Sequence, residues 1–317
     1  MKVTILTSAY NAAVFMERYY SGLAAQTYRP IELIFVDDGS TDQTTEKFKE
    51  VMARGHLTNV QVINLRQENQ GPPAAMNYGL QYATGDLILP LDADDQLLPG
   101  GVEAFVRTFQ ENPDAWLVCA EHRCVNEKGV HFNGRRVGPS LKRYPNLLSA
   151  ILAEGMLAVA GSYCYRRESL NLLPQGRFTV AFQAQNLEIL LHTGAQKPVA
   201  YCEEETVEIY AHPDSRSRAK TLERLARKVN GSHRLQRLCA EMYKVPREIR
   251  SKMEKRLLPL EIDYYFLTGQ VTKLLQSIIK LWRIERLTKK HSILLCAAMV
   301  PPLKSVAIKR YFAGYSI

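Results

Sequence analysis

Three carboxylates stand within four residues in Leu91-Asp92-Ala93-Asp94-Asp95, at the end of the apolar run Leu87–Leu91. Like charges packed this closely repel one another unless a cation sits among them. Carboxylates at a strand end suit a hard divalent ion such as Mn2+ or Mg2+, with positions left open for phosphate oxygens. The plainer reading is a turn in which one Asp caps the helix opening at Pro99 or simply meets solvent. A second polar cluster, Asp37-Asp38-Gly39-Ser40-Thr41-Asp42, follows the run Ile31–Val36. A carboxylate there can accept a hydrogen bond from a base N–H or a ribose hydroxyl; a strand–turn–helix cap explains the same residues equally well. A third stretch, Asn69–Leu80 followed by Gly85-Asp86, is rich in small residues, which permit close backbone approach or close helix packing.

A regular frame must hold these clusters. Val3–Thr7, Ile31–Val36, Val60–Leu65, Leu87–Leu91 and Trp116–Ala120 read as strands. Between them lie helical stretches at Val14–Ala25, after Asp42 (Phe48, Val51 and Met52 on one face, Ser40 or Thr41 as cap), at Ala74–Ala83 and from Pro99-Gly100 to Phe109. Alternation of this kind predicts an α/β fold, a mostly parallel central sheet with helices on both faces. Ligands of such sheets collect beyond the carboxyl ends of the strands. Ser8–Asn11, Asp37–Asp42 and Asp92–Asp95 all fall there. Further on, strands are expected near Val159–Tyr165 and Val199–Tyr210, with a helix over Asn186–His192 stopped by Gly194 at its C′ position.

The charge distribution divides the chain near residue 213. Residues 213–317 hold 23 Lys and Arg against 8 Asp and Glu, whereas residues 1–212 hold 18 against 24. Leu222, Leu225, Val229, Leu235, Leu238 and Met242 recur at helical spacing, as do Leu257, Leu258, Ile262, Tyr265 and Phe266, so 213–317 reads as a basic α-helical C-terminal region after a 1–212 domain. Its expected partner is an anionic membrane surface, through Trp282, Ile293, Leu294 and Leu295 with Arg283, Arg286, Lys289 and Lys290 beside them. Packing on the first domain, or a homodimer contact, is the competing use. Nucleic acid is not expected, because no stacking platform or known binding motif is present. Six cysteines without a CxxC pair argue against a zinc site or disulfide framework and suit a reducing compartment. The opening MKVTILTSA runs straight into a strand pattern, so no signal peptide is expected. The apolar run Ile293–Val300 is far short of the ~20 residues that span a bilayer.

Ser8-Ala9-Tyr10-Asn11, Val36–Asp42, the Asn69/Gly71/Asn77/Gly79 pattern, Gly85-Asp86 and Asp92-x-Asp94-Asp95 together resemble, in order and spacing, the family 2 inverting glycosyltransferases. The resemblance is firm over residues 1–120 and looser to about 217. It implies the GT-A fold, a Rossmann-like domain binding a nucleoside diphosphate sugar, UDP-linked by expectation, together with Mn2+ or Mg2+. It implies a saccharide or lipid-linked acceptor; with the cysteine usage and the basic tail, the expectation is a cytoplasmic enzyme of polysaccharide biosynthesis, peripheral at the inner face of the membrane. Carried over by position, Ser8 and Tyr10 line the nucleotide site, Asp38 meets the base with Asp37 beside it, and Asn77 belongs to the donor-binding set. Asp92 faces the ribose, and Asp94 of the DXD motif ligates the metal. Asp95 supports that ligand or touches the sugar. His212 matches a family histidine near the diphosphate and joins the metal side; a lone histidine at a domain edge is otherwise structural.

An inverting transfer needs a general base for the acceptor hydroxyl. Members of the family place an Asp there, usually after a Glu, at the start of a helix. Here the pair reads Gln185-Asn186, and an amide cannot take a proton. Glu188 lies two residues on, roughly 200° around a helix, and should point away. Three readings stay open: another base such as one of Glu203–Glu205, a catalytically silent relative that binds nucleotide-sugar, or amides engineered as isosteres of the acids. Met76 and Tyr210 stand where the family often carries cations. A nucleotidyltransferase fits less well, since Ser8–Ala13 contains no basic residue for a phosphate loop.

Overall fold

The structure is a computed structural model that describes residues 1–55, 57–133, 137–155, 158–212 and 221–285, with 291 and 294. It divides into two units, Met1–Ile151 with Met156–His212, and Leu152–Gly155 with Pro213–Ile317. In the first, the order is β1 (Val3–Ala9), α1 (Met16–Ala24), β2 (Ile31–Asp38), α2 (Thr44–Met52), β3 (Val60–Gln67), α3 (Pro72–Leu80), β4 (Leu87–Pro90), β5 (Gln96–Leu97) and α4 (Gly101–Glu111). There follow β6 (Leu117–Asn126), β7 (His131–Asn133), α5 (Val137–Arg143), α6 (Leu147–Glu154), β8 (Tyr163–Arg166), α7 (Gln185–Gln196) and β9 (Val199–Ala211).

The strands form one sheet in the order β3-β2-β1-β4-β8-β6-β9-β5, with β7 on the flank of β6. β3, β2, β1 and β4 are parallel, as expected from the βα alternation. β8 then runs antiparallel to both β4 and β6, β9 parallel to β6, and β5 antiparallel to β9. The sheet is mixed, with most of its register parallel, as expected, and the antiparallel pairs confined to β5, β7 and β8. The register sets the site: Ala9 faces Asp37 across β1 and β2, and Leu6 faces Pro90 across β1 and β4. The chain segments leaving β2, β1 and β4 thus emerge side by side at one edge of the sheet.

Every residue of β2 is buried, which is why a continuous apolar run, not an alternating one, marks it. Its one misfit is Glu32, which accepts from Thr4 Oγ1 (2.7 Å), Thr84 N (2.8 Å) and Lys2 Nζ (2.8 Å). Burial pushes this carboxyl up, but the bonds from Lys2, Thr84 and Thr4 outweigh it and hold the pKa at about 2.

Two local expectations change. Gln43, not Ser40 or Thr41, is the N-cap of α2 and makes no side-chain cap bond, while Asp42 Oδ1 just before it accepts from Thr44 N at 3.0 Å. Ser40 Oγ instead accepts from Asn11 N (3.0 Å), and Thr41 N donates to Asn11 Oδ1 (2.8 Å), tying the turn after β1 to the turn after β2. Gly194 lies inside α7 rather than stopping it: a Cβ there would come within 2.7 Å of Leu147 Cβ, so close helix packing selects the glycine.

The second unit is helical: α8 (Leu222–Arg227), a π-helical turn at Lys228–His233, α9 (Arg234–Met242), α10 (Arg247–Leu267) and α11 (Val271–Trp282). Leu258, Ile262 and Phe266 of α10 pack with Leu274, Ile278 and Leu281 of α11. Val271, Leu275, Ile279 and Trp282 form a second, exposed stripe on α11. No helix among the described residues is long and apolar enough to cross a membrane. Arg286, Lys289, Lys290, Ile293 and Leu295, expected at the lipid surface, lie outside the described residues.

Candidate functional site

β4 is wholly buried and ends at Pro90, so the chain leaves the sheet carrying Asp92, Asp94 and Asp95. A hydrogen bond from Asp95 N to Asp92 O (3.2 Å) tightens the turn. One carboxylate oxygen from each of the three residues lies within 4.8 Å of the other two. Asp95 is buried and accepts from Tyr210 N at 2.9 Å, which fixes the loop to the end of β9. That bond brings in His212, whose Nε2 lies 3.1 Å from Asp94 Oδ2. The Phe15 ring, 4.8 Å from the imidazole, and Tyr210, stacked at 5.6 Å, hold the histidine in place. Arg18 of α1 lies over the Tyr210 ring at 5.3 Å and donates to Glu208 at 2.6 Å. Burial, then the charges of Asp94 and Asp92, push the Asp95 carboxyl well above its ordinary range. Hard oxygens gathered this closely, with an imidazole beside them, are a donor set that fits Mg2+ or Mn2+.

The other expected site residues are placed less alike. Ser8, next to last in β1, is half-buried, and Tyr10 is 50% exposed. Asp37 is buried and accepts from Ser40 N (2.8 Å), Thr45 Oγ1 and Arg66 Nη1 (2.9 Å). Burial alone would raise its pKa, yet these bonds and the Arg66 charge bring it below the usual value. Asp38 accepts from Gln67 Nε2 (2.8 Å), Gln70 N (2.9 Å) and Gly71 N (2.8 Å). Gly71 takes φ +87°, and a Cβ there would meet Gln183 Oε1 at 2.5 Å, so Gln183 lies directly on this turn. Asn77 holds backbone. Its amide donates to Phe178 O and accepts from Phe178 N, both at 2.9 Å, which fastens the segment before α7 to α3.

Asn186, the second residue of α7, accepts a hydrogen bond from the Tyr163 hydroxyl at 2.8 Å. Tyr163 opens β8 and is 1% exposed. Burial, then Tyr165 and Asp92, push its phenol well above the ordinary value. Nothing in the sequence singled out Tyr163, a tyrosine in a β-rich run with no motif around it. Glu188 points away from Asn186, as its helical offset requires: buried, it accepts from Thr179 N (2.9 Å) through Oε2, while Oε1 has no partner. Glu203–Glu205, the alternative base considered from the sequence, lie on β9. They sit midway along the strand, with Glu204 paired to Arg107, and Glu205 is five residues from Tyr210, roughly 16 Å at ~3.3 Å per residue.

The profile of glycosyl transferase family 2 matches residues 4–172, more than half of the sequence. The chain belongs to this family. An uncharacterized glycosyltransferase of Nostoc is 30% identical over 178 residues, covering 54% of this chain and 52% of the relative. The glucosyl-dolichyl phosphate glucuronosyltransferase of Haloferax volcanii is 34% identical over 125 residues, 37% of each chain. The chain thus spans about half, or less, of the curated relatives it matches. Among solved structures, Staphylococcus aureus TarS 1-349 in complex with UDP-GlcNAc superposes with a TM-score of 0.63 at 17% identity, over 99% of this chain and 92% of that one. The mannosyltransferase PcManGT of Pyrobaculum calidifontis, in complex with GDP-Man and Mn2+, gives 0.55 at 16% identity, over 96% and 83%. At these identities the likeness establishes the fold: an α/β GT-A domain followed by C-terminal helices.

Proposed function

We propose that the chain binds a nucleoside diphosphate sugar, UDP-linked, together with Mn2+ or Mg2+, and transfers the sugar with inversion to a saccharide or lipid-linked acceptor. The observation that carries this reading is the convergence of Asp92, Asp94 and Asp95 with His212, from 118 residues away along the chain, beyond the buried strand β4. Asp94 and His212 are the ligands, and Asp95 holds Asp94 in place through its bond to Tyr210. Asp92 faces the ribose; Ser8 and the exposed Tyr10 line the nucleotide. Asp38 keeps one Oδ2 lone pair uncommitted for the base, while Asp37 holds the turn. Asn77 acts one step removed, through Phe178. A bound ion offsets charge developing on the departing diphosphate, worth several kcal/mol in metal-assisted reactions of this kind. Solved relatives carrying UDP-GlcNAc, or GDP-Man with Mn2+, support the donor class. Titration of the protein with UDP and with GDP, each with and without Mn2+, tests it: binding that needs the metal supports the reading, and absence of binding by folded protein overturns it.

A second reading has a specific observation in its favour. Residue 186 is an amide, Glu188 faces Thr179, and Glu203–Glu205 lie too far along β9, so the chain is then a nucleotide-sugar binder without transfer activity. Donor hydrolysis by the natural chain against Asn186→Asp distinguishes the two. The exposed α11 stripe, with Lys273, Lys280 and Arg283 beside it in a strongly basic region, supports attachment to an anionic membrane at its cytoplasmic face. Co-sedimentation with phosphatidylglycerol vesicles, but not phosphatidylcholine vesicles, is expected. A homodimer through the same stripe would instead show as a doubled mass in sedimentation.

A further inference from the structure

The hydrogen bond between Tyr163 and Asn186 determines which end of the amide a ligand meets. Asn186 is partly exposed, and the Tyr163 hydroxyl is its one hydrogen-bond partner among the described residues. Tyr163 is 1% exposed, so its hydroxyl proton needs an acceptor inside the protein. Asn186 Oδ1, at 2.8 Å, is that acceptor. Were the amide turned over, two donors would face each other or the phenol proton would be left buried without a partner. Burial and the neighbouring charge of Asp92 keep the phenol protonated over the whole working range of pH. Tyr163 is therefore a permanent donor.

We propose that Tyr163 is a positioning residue for residue 186: it clamps Oδ1 and leaves Nδ2 as the group presented to substrate. In this chain position 186 thus offers an N–H, which binds a lone pair on a sugar or acceptor oxygen and removes no proton. The same clamp is built to hold a carboxylate. With Asn186→Asp the hydroxyl would donate to one carboxylate oxygen, leaving the other free toward the acceptor. This inference rests on the transferase reading only for what substrate sees at position 186; the clamp itself is a property of the protein alone.

The clamp is tested without any sugar. Carbon-13 NMR of aspartate carboxyls, in Asn186→Asp and in Asn186→Asp/Tyr163→Phe, gives the pKa of the introduced group directly. The groups that act on the Tyr163 phenol (Tyr165, Asp92, Cys119 and Cys164) are common to both variants, so the difference isolates the hydroxyl. A hydrogen bond to the charged form is expected to set the pKa about 1 unit lower with the tyrosine than with the phenylalanine. Equal values overturn the proposal. Should the double variant fail to fold, the Tyr163 Cζ resonance is compared between the natural chain and Asn186→Leu; a shift is expected on loss of the acceptor, and an unmoved resonance overturns the proposal. Hydrolysis of UDP-GlcNAc is measured alongside. A shifted pKa without donor turnover would keep the clamp while removing the transferase reading.

Discussion

Replacing Asn77 by alanine separates a structural bracket from a ligand contact. The Asn77 amide makes two hydrogen bonds of 2.9 Å to the backbone of Phe178, a residue 2% exposed. Each neutral bond contributes about 1 kcal/mol net, and a buried backbone group left without a partner costs about 1–3 kcal/mol. The loss for Asn77→Ala is therefore about 2–4 kcal/mol, with water entering the gap offsetting the upper end. In a domain of this size, about 1 kcal/mol moves Tm by about 2–4 °C, so a fall of about 4–16 °C is expected. Thermal unfolding followed by circular dichroism measures it, with UDP affinity measured on the same sample well below the transition. As a bracket, Asn77→Ala lowers Tm and leaves UDP affinity within about threefold. Unchanged Tm with a tenfold or larger loss of UDP affinity would refute this reasoning and make Asn77 a donor contact.

The held-down carboxyl of Glu32 makes stability pH-dependent. With its folded pKa at about 2 against 4.5, its contribution is complete above pH 4.5 and is lost as pH falls through 2; it amounts to about 3 kcal/mol. Urea unfolding should show Glu32→Gln destabilised at pH 7 and much less so at pH 3. Glu188 has the opposite sign: burial raises its pKa, so stability declines as pH rises past the ordinary carboxyl range, and Glu188→Gln should flatten that decline between pH 5 and 8. Gly71→Ala meets both a φ of +87° and Gln183 at 2.5 Å. It should destabilise the protein by about 1–3 kcal/mol in the same urea assay, more than Gly55→Ala, whose Cβ would meet nothing within 4 Å.

The first half of the domain was readable because each buried parallel strand is a continuous apolar run closed by a polar cluster, as in Ile31–Asp38 followed by Gly39 and Ser40. The same rule placed Asp92–Asp95 at a strand end. After residue 121 that rule stops working. Strands there pair antiparallel or across bulges, and β9 reaches back to hold the two-residue β5 through Glu208 and Val207. Gly194 looks like a helix stop because nothing local reveals that Leu147 packs against it. Position 186 was visible as an amide, but its partner Tyr163, 23 residues earlier, is identified only by the fold. The Asn77 bonds to Phe178 were hidden for a similar reason, since a side-chain amide that binds backbone leaves no pattern in sequence.

The claim that the Asp92–Asp95 loop and His212 form a metal-assisted donor site is tested most directly by isothermal titration of UDP into the natural chain and Asp94→Asn, with and without Mn2+. Micromolar binding that requires Mn2+ and is lost in folded Asp94→Asn is the expected result. Binding of equal strength without the metal, or undiminished in Asp94→Asn, would contradict it.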